Sequence, residues 1–108
     1  MTSTLQLQDK PTLKDFQEYV ARMVEERGFA DESISEVFML FLEECGELAK
    51  AARKSAGLKT DAASASHDIA LEAADVFIYL LDICNHYHIN LETAFRAKEE
   101  LNKTRVWG

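Results

Sequence analysis

The stretch from Asp68 to His86, DIALEAADVFIYLLDICNH, limits the fold more than any other part of this chain. At about 100° per residue, Asp68, Glu72, Asp75, Tyr79, Asp82 and His86 collect in one narrow helical stripe. Almost every other position in the stretch is apolar. A surface helix shows the reverse, one apolar stripe on a polar body. A helix apolar on most sides is buried on most sides, so its polar stripe must face a groove rather than bulk water. Carboxylates are almost never buried without partners, and the rest of the chain is read for what meets them.

The 108 residues allow one domain. A chain this short buries roughly two-thirds of its unfolded surface, so a helix needing cover all round borrows it from a second copy. The expectation is an all-α antiparallel bundle of about four helices, completed by dimerisation. One Pro and four Gly suit such a chain. The net charge of −7, with no basic run, speaks against a nucleic acid polymer as partner. It leaves room for a small anion carried by a metal. No apolar run approaches the ~20 residues of a membrane span, so no membrane partner is expected, and the polar N-terminus has no signal-peptide pattern. Cys45 and Cys84 form no CxxC or Cys/His ligand pattern and read as core thiols in a reducing, cytoplasmic setting.

Residues 1–11 read as a loose polar tail and residues 12–108 as the helical domain. Thr12 is the expected cap of a first helix, about residues 13 to 27, with Leu13, Phe16, Val20, Met23 and Val24 inward and Gly28 as its stop. Ser33 and Glu36 form an S-x-x-E box opening a second helix, about residues 34 to 54. Its inward stripe is Ile34, Val37, Phe38, Phe41, Cys45, Leu48 and Ala52. Residues 55–66, SAGLKTDAASAS, read as a mobile loop before the third helix. Asn90 is the expected cap of a fourth, about residues 91 to 103. No internal repeat and no alternating strand pattern is present.

In FLEECGELAK, Glu44 and Glu47 lie beside the inward stripe, while Glu43 points roughly 80° further out, towards Lys50 and Lys54. Two neighbouring helices carrying acid pairs at i, i+3, Glu44 with Glu47 and Glu72 with Asp75, can converge four carboxylates. Unit charges about 6 Å apart at an effective dielectric of ~20 repel by ~3 kcal/mol, so four of them store roughly 15 kcal/mol. That matches the whole stability of a domain, ~5–15 kcal/mol. Protons or cations must compensate, and oxygen-only ligands favour Mg²⁺ or Mn²⁺ over zinc. The alternative is a solvated acidic face on the second helix, with Glu43 and Glu47 paired to Lys50 and Lys54. On the fourth helix, Lys98, Asn102 and Arg105 share the face of Leu91, Ala94, Phe95 and Leu101. They are either structural salt-bridge partners or grips for phosphate oxygens, Arg as a fork and Lys as a point charge. Metal-binding acids together with phosphate-binding cations describe a site for a metal–polyphosphate.

These motifs resemble those of the MazG-like all-α nucleoside triphosphate pyrophosphohydrolases, EExxE followed by ExxD. Here they read Glu43-Glu44-Cys45-Gly46-Glu47, then 24 residues, then Glu72-Ala73-Ala74-Asp75, with a trailing K-x-x-x-N-x-x-R at Lys98, Asn102 and Arg105. The likeness covers about residues 12–107. It implies Mg²⁺-dependent cleavage of a nucleoside triphosphate between its α and β phosphates, releasing the monophosphate and pyrophosphate. It implies metal binding at Glu44, Glu47, Glu72 and Asp75, a substrate contact at Tyr79, and a homodimer or dimer of dimers with a partly shared site. In that reaction Glu43 orients the water or holds a lysine, and Lys54, Lys98 and Arg105 hold the polyphosphate. Asn102 donates to a phosphate or sugar oxygen. The related dCTP pyrophosphatases place tryptophan among aromatic residues ahead of the first motif. Here Phe29 and Phe38 precede it, and Phe29 is the candidate to stack on the base. The expected role is housecleaning of nucleotide pools. A rival from another class is a non-catalytic helical module that binds a nucleotide or a partner. A di-iron carboxylate bundle typically uses Glu-x-x-His pairs, and neither Glu44 nor Glu72 has His three residues on.

Overall fold

Local chemistry sets the helix ends. The Thr12 hydroxyl accepts from the Asp15 N–H at 3.2 Å while the Asp15 carboxylate accepts from the Thr12 N–H at 2.9 Å, a reciprocal cap that satisfies two orphan donors. This opens α1 (Leu13–Glu26). Its end is fixed by Gly28 at φ 77°, with the Phe29 N–H donating to Val24 O at 2.9 Å and the Gly28 N–H to Glu25 O at 3.2 Å. That pair of bonds needs a left-handed residue at Gly28. The Ser33 hydroxyl accepts from the Glu36 N–H at 3.2 Å and opens α2 (Ile34–Gly57). After α3 (Ala62–His86), Asn90 Oδ1 accepts from the Thr93 N–H at 3.0 Å and opens α4 (Leu91–Lys103).

The computed structural model describes residues 3–57 and 62–106, with the backbone alone described at Gly57 and at residues 62–67. All four elements are α-helices, and no strand occurs among the described residues. The expected loop over residues 55–66 is corrected at both ends. Residues 55–57 continue α2, and α3 begins at Ala62, ahead of the expected Asp68. Small polar residues suggest looseness, but residues 62–67 hold three alanines and no Gly or Pro, and alanine is the strongest helix former. Residues 58–61 and the C-terminal Trp107 lie outside the described residues.

α2 and α3 form a long antiparallel hairpin, α1 packs across the C-terminal half of α3, and α4 packs chiefly against α1. The core is Val20, Met23 and Leu81, with Phe16 and Phe77 meeting edge to face at 5.6 Å beside it. Leu5 packs on the same core, and the Ser3 hydroxyl donates to the Glu26 carboxylate at 2.8 Å, so the expected loose tail is fastened at two points. Gln17 is a buried polar residue at 8% exposure. Its amide donates to Asn85 Oδ1 at 3.1 Å and to Ile89 O at 2.8 Å, and accepts from the Leu91 N–H at 2.9 Å. Asn85 in turn donates to the Gln17 carbonyl at 2.9 Å. This network ties α1 to the turn between α3 and α4. The apolar pattern of α1 gave no sign of it.

One chain does not cover α3 on all sides. α1 has 14 residues and α3 has 25, so their lengths are about 21 and 37 Å. Ala70, Leu71, Ala73 and Ala74, on the half of α3 that α1 does not reach, are exposed. Phe38, expected inward, is 41% exposed, and Ala52 is exposed too. α4 buries no residue: Phe95 and Leu101 are 66% and 62% exposed, so the face expected to look inward is open in the single chain. No helix among the described residues is long and apolar enough to cross a membrane.

Candidate functional site

Pairing α2 with α3 sets Glu44 against Glu72 and Asp75. One carboxylate oxygen from each of the three lies within 4.8 Å of the other two. An octahedral Mg²⁺ at ~2.1 Å from its ligands spans ~4.2 Å across, and Ca²⁺ at ~2.3–2.6 Å spans about 5 Å. The three oxygens are therefore within a small side-chain rotation of a cation's shell. The donor set is oxygen only, which suits a hard cation. Glu44 and Glu72 are half-buried and Asp75 is exposed, so the cluster opens to solvent on one side.

Burial raises the pKa of Glu44, and the charges of Asp75 and Glu72 raise it further, followed by Glu43 and Glu47. At an effective dielectric of ~20, unit charges 4.8 Å apart repel by ~3.5 kcal/mol, less where solvent reaches Asp75. Among the described residues, no Lys or Arg forms an ion pair with any of the three. Glu47 is exposed and does not join them. It sits about 60° round α2 from Glu44, while Glu44 shares the side of Val37 and Leu48 that meets α3. Glu43 is exposed as well, on the outer side that the helical wheel gave it.

Next to the cluster is a cavity of about 130 Å³, whose walls include Arg27, Phe29, Glu32, Asp75, Tyr79 and Asp82. Phe29 and Tyr79 are thus brought to the acids. Burial raises the pKa of the half-buried Tyr79 hydroxyl, and Glu44, Glu32, Asp75 and Asp82 add to it. Asp82 is buried against His86, whose Nε2 stands 3.6 Å from Oδ1. Burial raises the Asp82 pKa, and His86 offsets part of that. Arg27 and Glu32 escaped the sequence reading because they flank the turn between α1 and α2, where no helical period reports which way a side chain points.

The remaining candidates lie elsewhere. Lys54 is exposed in the last turn of α2, and Lys98 and Arg105 are exposed on and just after α4. Asn102 is half-buried, and its Oδ1 is buried without a hydrogen-bond partner. None of these four lines the cavity. Both cysteines are free; Cys84 is buried, with burial pushing its thiol pKa up, and Cys45 is half-buried. No protein-family model matches the chain, and no curated protein matches its sequence.

Proposed function

We propose that this chain is a divalent-cation-dependent nucleoside triphosphate pyrophosphohydrolase, cleaving between the α and β phosphates, of the MazG-like kind its motifs resemble. The observation that carries the reading is the convergence of Glu44, Glu72 and Asp75 from two helices beside an aromatic-walled cavity. These three residues would hold Mg²⁺, or Mn²⁺ in its place. Bound there, the cation supplies charge neutralisation at the phosphate oxygens and on the departing pyrophosphate. The α-phosphorus gains a bond to a water oxygen and loses its bond to the bridging oxygen, so the monophosphate and pyrophosphate part. Glu43 and Glu47, exposed next to Glu44, are the carboxylates left to orient that water and take its proton.

The working form is proposed to be at least a homodimer. A folded monomer of 12.2 kDa exposes about 6,100 Å² by the usual size scaling, whereas this chain exposes 8341 Å². The surplus, roughly 2,200 Å² per subunit, suits an obligate interface. A second copy lying on the open face of α4 would also bury the stems of Lys98 and Arg105 and bring cations towards a phosphate chain.

A panel of nucleoside triphosphates with Mg²⁺ tests the activity. Pyrophosphate and the monophosphate are the expected products. Glu72→Gln and Asp75→Asn should each abolish release, with circular dichroism unchanged. Orthophosphate as the sole product, or no turnover of any triphosphate, overturns the proposal.

A further inference from the structure

α2 has an outer face as well as the one it turns to α3. At about 100° per residue, Met39, Leu42, Gly46, Ala49 and Arg53 fall within about 40° of one line, on the side opposite the buried Val37. All five are exposed, Met39 at 70% and Leu42 at 65%. Gly46 is the odd member. Apart from proline, glycine is the least favourable residue in a helix interior. Gly46 has no positive φ to require it, and an added Cβ meets nothing in the chain within 4 Å. Neither the backbone conformation nor crowding within the chain calls for glycine here. A second backbone lying close against it does.

The two edges of the face differ. Glu43 and Lys50 run along one, Leu42 and Ala49 along the other, all exposed. Glu43 and Lys50 are ~10.5 Å apart along the axis, too far to pair with each other. Neither they nor Arg53 form an ion pair among the described residues. A two-fold axis through Gly46, perpendicular to two antiparallel copies of α2, sets like edge on like edge. Glu43 then lies beside the partner's Lys50, and Leu42 beside the partner's Ala49. Met39 and the partner's Arg53 lie equally far either side of Gly46, so the arginine stem covers the methionine. Every contact is made twice, as in any isologous pair. A parallel pair instead sets the charged edge on the apolar one. The surplus of exposed surface, roughly 2,200 Å² per subunit, exceeds the ~800 Å² per partner of a standard interface. It leaves room for this face besides that of α4.

We infer that two copies of this chain pair antiparallel through the outer face of α2, crossing at Gly46, with Glu43 held by the partner's Lys50. This rests on the self-association proposed for the working form, and adds the face, the direction and the residues that meet. It also leaves Glu47 as the exposed carboxylate free to orient the attacking water.

Cross-linking on the full chain tests the pairing. Leu42→Cys together with Ala49→Cys, in a chain also carrying Cys45→Ala, should give a covalent dimer under an added oxidant. Within one chain those positions are ~10.5 Å apart, beyond the reach of a disulfide, so the bond forms only between copies. Leu42→Cys without the second cysteine should stay uncross-linked, because the two copies of position 42 stand ~12 Å apart along the helices. Glu43→Lys and Lys50→Glu should each weaken association by about 10-fold in sedimentation on dilution, and the two together should restore it. Gly46→Ala should also weaken it, while raising the melting temperature of a chain that Leu42→Asp keeps unpaired at this face. A wild type that sediments as a single chain overturns self-association as a whole. A wild-type oligomer whose cysteine pair does not cross-link, or whose charge exchange does not restore association, overturns the α2 pairing alone.

Discussion

Glu44 has its folded pKa raised, by burial first and neighbouring carboxylates second. A carboxyl whose folded pKa lies above its unfolded value contributes stability that is full below the unfolded pKa and is lost as pH rises through the folded one. The metal-free protein should therefore lose stability as pH climbs above the ordinary range for glutamate. Glu44→Gln should raise the melting temperature of the metal-free protein at neutral pH and flatten that loss. Mg²⁺ should raise the melting temperature of the wild type and leave the variant unmoved. Asp82 carries the same sign for a different reason, burial alone with His86 in opposition. Gln17 works the other way. Gln17→Leu strands the Leu91 N–H, the Ile89 carbonyl and Asn85 Oδ1 around a partly buried turn. Urea unfolding should show a loss of about 2–3 kcal/mol.

The helices carry two glycines whose substitution should have opposite signs. Gly28 sits at φ 77° in the turn closing α1, so Gly28→Ala should destabilise by about 1–2 kcal/mol. Gly46 lies exposed in mid-α2, and an added Cβ there meets nothing within 4 Å. Gly46→Ala should stabilise by up to about 1 kcal/mol in thermal melts, unless a second copy packs closely there. Helix ends were the most legible part of the sequence, because Thr12, Ser33 and Asn90 act over three residues. The start of α3 was not legible, since its serines favour caps and turns while its alanines favour helix, and the two signals conflict within six residues. The acids show the same boundary. Glu44, Glu72 and Asp75 could be placed by wheel geometry, because they share the contact between two adjacent helices. Asp82 was visible as part of the stripe, but Glu32, which lines the same cavity, depends on how the chain leaves the turn after Gly28. The cations of α4 depend on what lies against a face that this chain leaves open.

At the scale of the molecule, the radius of gyration is 16.6 Å, against about 13 Å for a compact domain of this length. Exposed apolar positions fall in ordered sets: Met39, Leu42, Gly46 and Ala49 run along one side of α2, and Phe95 with Leu101 along α4. Sedimentation should give a particle of at least twice 12.2 kDa. Leu42→Asp combined with Phe95→Asp should shift it towards the single-chain mass while the far-ultraviolet spectrum keeps its helical form. A single-chain mass for the wild type would remove the shared-site picture.

The acid cluster lies about midway along two long antiparallel rods. An ion seated there ties them at the waist, far from the core that packs on the C-terminal half of α3. Deuterium uptake in the central turns of α2 and α3 should therefore slow when magnesium is supplied and quicken under chelation. Cation supply would then govern how long the protein survives proteases, through the same carboxylates that govern its chemistry.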